Sequence, residues 1–212
     1  ARPVLTGAAA LWNDAKTSLV VVLDNSYSQD FQATGGTNFE NARKQAAELV
    51  GGLQRGSDVC VVLMSGTNAP LYDSGVFNTK RVVEDLKALE AGYGKAEVPS
   101  ALDVAAVLTR NMSHAHREII VISDFQRISW SSEEATLRQR AAERLAAQDM
   151  APRLTLFHTG AEGHENVCVE TVSFSPRVLG MNQTLQVRAT LRNYGDRSHN
   201  SLKVVCRVDG KV

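Results

Sequence analysis

A carboxylate and two hydroxyls directly follow the first strongly apolar segment of the chain. The run 19–23 reads LVVVL, which is typical of a buried strand, and Asp24, Ser26 and Ser28 come after it at i, i+2 and i+4. Carboxylate and hydroxyl oxygens are hard ligands that suit a small divalent cation such as Mg²⁺. The segment therefore predicts an oxygen-rich binding site at a strand end.

A second carboxylate follows a later apolar run. Residues 118–123 read EIIVIS, and Asp124 comes directly after them. Because the carboxyl ends of parallel strands open onto the same edge of an α/β sheet, residues about 100 positions apart can meet there. Asp24, Ser26, Ser28 and Asp124 are therefore predicted to form one site, with water completing the coordination of Mg²⁺.

The first ~160 residues alternate between apolar strands and amphipathic helices, which predicts an α/β fold with a doubly wound, mostly parallel sheet. The segment 69–77 contains Pro70 and Gly75 and is expected at the sheet edge. Thr37 and Glu40 fit the S/T-x-x-E capping box at the start of the first helix. The predicted core strands are 19–23, 59–64, 118–123 and 154–158, and helices are predicted from about residues 38, 79, 99 and 131.

The pattern changes near residue 160. The stretches 167–174, 185–191 and 202–208 alternate polar and apolar residues, which indicates an antiparallel sheet with one solvated face. About three strands are too few for a complete β-sandwich. We therefore predict two domains, an α/β domain at 1–160 and the start of an incomplete sandwich at 165–212.

Composition gives no indication of a nucleic-acid or anionic-membrane partner. The net charge is zero and the pI is near 7.2, whereas a nucleic-acid or anionic-membrane partner favours a basic balance. No apolar run approaches the roughly 20 residues that span a bilayer. The chain begins with Ala and ends within a pattern, so we expect a fragment of a longer protein. Cys60, Cys168 and Cys206 are expected as buried thiols, with a Cys168–Cys206 disulfide as the alternative.

The residues quoted above resemble the von Willebrand factor type A (VWA) domain. The resemblance covers roughly residues 19–159 and rests on D-x-S-x-S at Asp24, Ser26 and Ser28, on the strand–helix order, and on the strand-end Asp124. It implies a Rossmann-like fold with a metal-ion-dependent adhesion site that also uses a threonine. The matching position, five residues before Ala101-Leu102, holds Ala96. A methyl group cannot bind metal, so any Mg²⁺ site is degenerate and weak.

Two accounts of the incomplete site stay open. In the first account, the site binds Mg²⁺ weakly through Asp24, Ser26, Ser28 and Asp124. This is possible with an incomplete ligand set because bound Mg²⁺ usually keeps several water ligands. Alternatively, the Lys95 ammonium swings towards Asp24 and replaces the ion, since a cation of either kind relieves repulsion between two carboxylates.

The resemblance implies a non-enzymatic protein-binding or scaffolding module that recognises an acidic side chain of another protein. Loops 29–37 and 125–130 would set specificity, with Phe125 and Trp130 as candidate partner-binding residues. The alternatives are a structural domain with a dead metal site and a phosphoryl-transfer enzyme that uses Asp24. The C-terminal segment resembles immunoglobulin-like (CARDB-like) modules of bacterial surface proteins. The combination resembles membrane-anchored bacterial proteins of the aerotolerance-operon type, which implies a location outside the cytoplasm.

Overall fold

The architecture was obtained as a computed structural model of the chain. Two compact units are present, Ala1–Gly160 and Ala161–Val212. The structure describes residues 15–33, 35–66, 69–126, 129, 135–159, 167–175, 186–193 and 198–207.

Strands and helices alternate through the first unit, and two further strands form the second. In chain order the elements are β1 (Thr17–Leu23), a 3-10 helix (Tyr27–Asp30), β2 (Gln32–Ala33), β3 (Gly36–Thr37), α1 (Asn38–Gly51), β4 (Asp58–Leu63), α2 (Thr79–Ala88), α3 (Val98–Arg110), β5 (His116–Ser123), α4 (Ala135–Ala146), β6 (Arg153–His158), β7 (Val167–Ser175) and β8 (Gln186–Asn193).

One four-stranded parallel sheet organises the first unit, in the order β4-β1-β5-β6. All seven residues of β1 are buried, as its β-branched sequence predicts for a central strand covered on both faces. Leu23 pairs with Leu63 on one side and with Ile122 on the other, so three strands end at the same level. The predicted doubly wound α/β fold is confirmed.

Helices cover both faces of this sheet and build two apolar clusters. On one face Val21 and Ile120 pack with Phe39 and Ala46 of α1. On the other face, the second cluster contains Val20 and Val121 together with Ala101 and Ala105 of α3. The alternation of β1 side chains between the two clusters fixes its register, because a shift of one residue would exchange the faces.

Helix starts follow the predicted capping chemistry. Thr37 Oγ1 accepts a hydrogen bond from the Glu40 backbone N–H at 3.1 Å, and Glu40 Oε2 accepts one from the Thr37 N–H at 3.0 Å. The predicted capping box is confirmed. Asn78 caps α2 through its side chain, and Pro99 lies in the first turn of α3.

A polar cluster closes the amino-terminal edge of the sheet, opposite the predicted site. Ser18 Oγ donates to Asp58 Oδ1 at 2.6 Å and accepts from the His114 N–H at 2.9 Å. Phe77 packs edge-on against the His114 ring, with centroids 6.3 Å apart. The segment before Phe77 pairs with β4 through the isolated antiparallel bridges Val59–Val76 and Val62–Pro70, as an edge segment should.

The second unit contains an antiparallel pair, β7 and β8, in which Val172 faces Ala189. The antiparallel character expected from the alternating pattern is confirmed. The third alternating stretch differs from its prediction, because its described residues, 202–207, carry no strand. Since these residues are exposed, their polar backbone is available to solvent.

The three cysteines were expected to be buried, and this is wrong for Cys168 and Cys206. Cys60 is buried, whereas Cys168 is half-buried and Cys206 is exposed, and no disulfide joins the last two. Burial raises the pKa of the Cys60 thiol to about 11, with a smaller contribution from Asp58. Within the described parts of the chain, no helix has the length and apolar character needed to cross a membrane.

Loss of the α1 capping box should destabilise the fold measurably. We expect Thr37→Ala to lower the free energy of unfolding by about 1 kcal/mol, because the Glu40 N–H loses its acceptor. Urea denaturation followed by circular dichroism measures this change. Glu48→Ala, at an exposed position of the same helix, is the control. Equal stability of the two variants would contradict the capping role.

Candidate metal and ligand site

The site begins where β1 leaves the sheet. The Asp24 N–H donates to the Ile122 carbonyl of β5 at 2.9 Å, which extends the ladder by one residue. On the other side of β1, the Met64 N–H donates to the Leu23 carbonyl at 3.0 Å. These bonds fix Asp24 between two neighbouring strand ends, and its side chain is fully buried.

The Asp24 carboxylate is surrounded by donors. Oδ1 accepts from the Ser26 N–H at 3.0 Å, and Oδ2 accepts from Ser123 Oγ at 2.5 Å and from Gln29 Nε2 at 3.3 Å. Gln29 is itself fully buried, and its Oε1 accepts from Thr159 Oγ1 at 3.3 Å. A buried charge is tolerated when hydrogen bonds replace its hydration, which these donors do.

Ser26, Ser28 and Asp124 lie beside this carboxylate. Ser26 Oγ and Ser28 Oγ are 3.1 Å apart, and Ser28 in turn makes a side-chain hydrogen bond with Asp124. The structure therefore brings together all four residues predicted as metal ligands, including Asp124 from a strand nearly 100 residues away. Three hydroxyl or carboxylate groups converge next to the buried Asp24.

The electrostatics of Asp124 reflect this arrangement. Burial raises the pKa of its carboxyl above the ordinary value, and the negative charge of Asp24 raises it further. Hydrogen bonds from Ser28 and Gln126 act in the opposite direction. Two carboxylates held close together in a partly desolvated site attract a cation, because it would relieve their repulsion.

The position that holds a threonine in the resembled family lies in the core. Ala96 is buried and belongs to the apolar cluster on the α3 side of the sheet, together with Met64 and Val98. It contributes no oxygen, as the sequence predicts. In the described part of the chain, no three His, Cys, Asp or Glu side chains converge into a metal-binding group.

The Lys95 side chain does not take the place of a cation beside Asp24. Its side chain is half-buried, and among the described residues it makes no ion pair or hydrogen bond with Asp24 or Asp124. The effects that shift the Asp124 pKa include no contribution from it. The structure therefore does not bring together the lysine and the carboxylates as the replacement hypothesis requires.

The loop before α3 packs tightly against the site. The Gly92 N–H donates to the Asn25 carbonyl at 2.6 Å, and the Tyr27 N–H donates to the Gly94 carbonyl at 3.1 Å. Asn25 Oδ1 also accepts from the Ser65 N–H at 2.9 Å. The local sequence pattern of 92–94 does not predict this contact, because it depends on segments far apart in sequence.

Phe125 follows Asp124 with an unusual backbone. Its φ is 51°, in the left-handed region that non-glycine residues seldom adopt, and its N–H donates to Ser123 Oγ at 3.0 Å. The half-buried ring stacks on His158 at 6.3 Å and packs against the α3-side core. The proposed partner-binding role of Phe125 stays a prediction, and Trp130 lies outside the described residues.

Sequence reasoning missed two groups that hold Asp24. Ser123 directly precedes Asp124 at the end of an apolar run, so its position at the sheet edge was a usable signal. Gln29 lies in the 3-10 helix and reaches Asp24 only because the chain turns back over the strand end. Nothing in its local pattern marks it as buried.

A family model matches about half of the chain. The model of the von Willebrand factor type A domain matches residues 19–126. Comparison with curated protein sequences gives no match.

Solved structures share the fold at low sequence identity. A conserved hypothetical protein, BatB from Bacteroides thetaiotaomicron, aligns over 82% of this chain and 80% of its own, with 16% identity and a TM-score of 0.56. A von Willebrand factor type A protein from Catenulispora acidiphila aligns over 86% of this chain and 55% of its own, with 14% identity and a TM-score of 0.53.

The repulsion between the two carboxylates predicts a pH-dependent stability. The folded state holds the Asp124 proton more tightly than the unfolded chain does, since its pKa is raised. The stabilisation from this proton is present at low pH and is lost as the pH rises through the folded pKa. In metal-free buffer at neutral pH, Asp124→Asn should therefore raise the free energy of unfolding.

The difference from wild type should shrink as the solution is acidified through that pKa. Urea denaturation at neutral and acidic pH tests this, and Asp149→Asn, at an exposed position, is the matched control. A variant that is less stable than wild type at neutral pH would contradict the repulsion.

Proposed function

This chain belongs to the von Willebrand factor type A domain family, and from that premise we propose that it is a non-enzymatic protein-binding module. Its strand-end site would bind a divalent cation weakly and, through it, an acidic side chain of a partner protein. The observation that carries the proposal is the convergence of Asp24, Ser26, Ser28 and Asp124 at one sheet edge.

The residues present fit a small, hard cation such as Mg²⁺. Ser26 Oγ, Ser28 Oγ and the Asp124 carboxylate offer oxygen ligands, and Asp24 supplies negative charge directly behind them. A cation here would supply one open coordination position for a carboxylate from outside. Binding is expected to be weak, because Ala96 contributes no oxygen and both Asp24 oxygens already accept hydrogen bonds.

The environment of Asp24 opposes an enzymatic role. A phosphate-accepting aspartate must be reachable by its substrate, whereas Asp24 is fully buried and each of its oxygens accepts a hydrogen bond. The zero net charge likewise argues for a protein partner over a nucleic acid. The resemblance to aerotolerance-type proteins supports a location outside the cytoplasm, in a parent protein with a membrane anchor.

A second candidate is a structural domain whose strand-end site binds no metal. The hydrogen bonds from Ser26, Ser123 and Gln29 favour it, because they stabilise the Asp24 carboxylate without any ion. The two candidates make opposite predictions for added metal, which separates them.

Metal titration distinguishes the candidates. Because a ligand that binds only the folded state stabilises it, Mg²⁺ or Mn²⁺ at about 100 times its dissociation constant should add ~2.7 kcal/mol to the free energy of unfolding. Scanning calorimetry across a metal series measures the shift in melting temperature. A melting temperature that does not respond to metal would favour the structural domain.

Variants show whether the metal binds at this site. We expect Ser26→Ala and Asp124→Asn to abolish most of the metal-dependent shift, because each removes an oxygen ligand or its charge. Asp149→Asn, an exposed carboxylate elsewhere, should keep the full shift. An equal shift in all three variants would mean that the metal binds outside the site.

A further inference from the structure

We propose that Tyr27 and Tyr93, here called the aromatic rim, bind apolar residues on either side of the partner's acidic side chain. The inference rests on the proposed function and adds the chemistry of the partner: an Asp or Glu flanked by apolar residues.

Both tyrosines are held at the edge of the site by backbone contacts. Tyr27 lies between Ser26 and Ser28 in sequence, and its N–H donates to the Gly94 carbonyl at 3.1 Å. On the other side of Tyr93, the Gly92 N–H donates to the Asn25 carbonyl at 2.6 Å. The tripeptide 92–94 is therefore bound at both ends to the segment that carries the predicted metal ligands.

Glycine at both ends lets this tripeptide pack closely against its neighbours. A Cβ on Gly92 would lie 2.7 Å from Ser65 Oγ and 3.0 Å from the Asn25 carbonyl oxygen. A Cβ on Gly94 would lie 3.3 Å from the Gly66 nitrogen. The backbone that carries Tyr93 is therefore closely packed, which lowers the backbone entropy lost on binding a partner.

The exposed faces of the two tyrosine rings are the surface that a partner would contact. Tyr93 is 100% exposed and Tyr27 is 56% exposed, although each carries a large apolar face. Tyrosine is enriched at protein interfaces, and well-placed aromatic anchors supply much of the binding energy there. Two exposed rings, on segments that are hydrogen-bonded to one another beside the oxygen-rich site, offer apolar area to a partner bound there.

Charge also favours an acidic partner. Lys95 directly follows the tripeptide, and its half-buried side chain makes no ion pair within the described residues. A positive charge without such a pair, next to the tripeptide in sequence, would add to the attraction of an incoming carboxylate. An acidic residue at the centre and apolar residues on its flanks match this surface on both counts.

Short peptides test the inference directly. The probes are acetyl-Leu-Asp-Leu-amide, acetyl-Gly-Asp-Gly-amide and the uncharged acetyl-Leu-Asn-Leu-amide, each titrated into the full chain with saturating Mg²⁺ and followed by NMR chemical shifts. We expect the leucine-flanked acidic peptide to bind about tenfold more tightly than the glycine-flanked one, a ratio that corresponds to roughly 1.4 kcal/mol.

The aromatic rim should account for that ratio. Tyr93→Ser and Tyr27→Ser should each bring the affinities of the two acidic peptides closer together. Phe77→Ser is the matched control, because Phe77 is 56% exposed but contacts His114 at the opposite edge of the sheet. This variant should keep the wild-type ratio.

The outcomes separate the inference from the function on which it rests. Suppose that the glycine-flanked acidic peptide binds in the presence of Mg²⁺. If the two acidic peptides then bind with nearly equal affinity, or if their affinity ratio is unchanged in both tyrosine variants, the aromatic rim is overturned and the proposed function stands. If neither acidic peptide binds better than the Asn peptide, the carboxylate-binding function fails, and the inference fails with it.

Discussion

The arrangement of the site depends on one buried negative charge. Asp24 lies at the end of the central strand, fully removed from solvent, and such a charge is costly unless its hydration is replaced. Three segments supply the replacement: the turn at Ser26, the 3-10 helix through Gln29 and the end of β5 through Ser123. Satisfying Asp24 therefore holds these segments at one edge of the sheet.

The second carboxylate gives this edge its chemical character. Asp124 accepts hydrogen bonds from Ser28 and Gln126, which only partly offset its burial and its repulsion from Asp24. The donors around Asp24 stabilise this edge without metal, and the remaining repulsion would favour a cation. The same geometry thus accommodates both a weak binding site and a purely structural edge, which is why the metal response of the fold decides between them.

Much of the fold could be predicted from local patterns. The apolar run 19–23 and the capping box at Thr37 depend on nearby residues alone, and Asp124 followed from the rule that parallel strands end together. The contact of Gln29 with Asp24 could not be predicted, because it requires the path of a loop in three dimensions. The packing of the 92–94 loop was missed for the same reason.

Ala96 occupies the position at which the resemblance implies a threonine. Its methyl group lies in the apolar cluster beside Met64 and Val98, so the residue stabilises packing where a hydroxyl would serve the metal. A site with one oxygen ligand fewer would gain less binding energy from a cation. Under the proposed function, recognition of a partner would then depend more on the surface around the site, which includes the closely packed segment 92–94 that carries Tyr93.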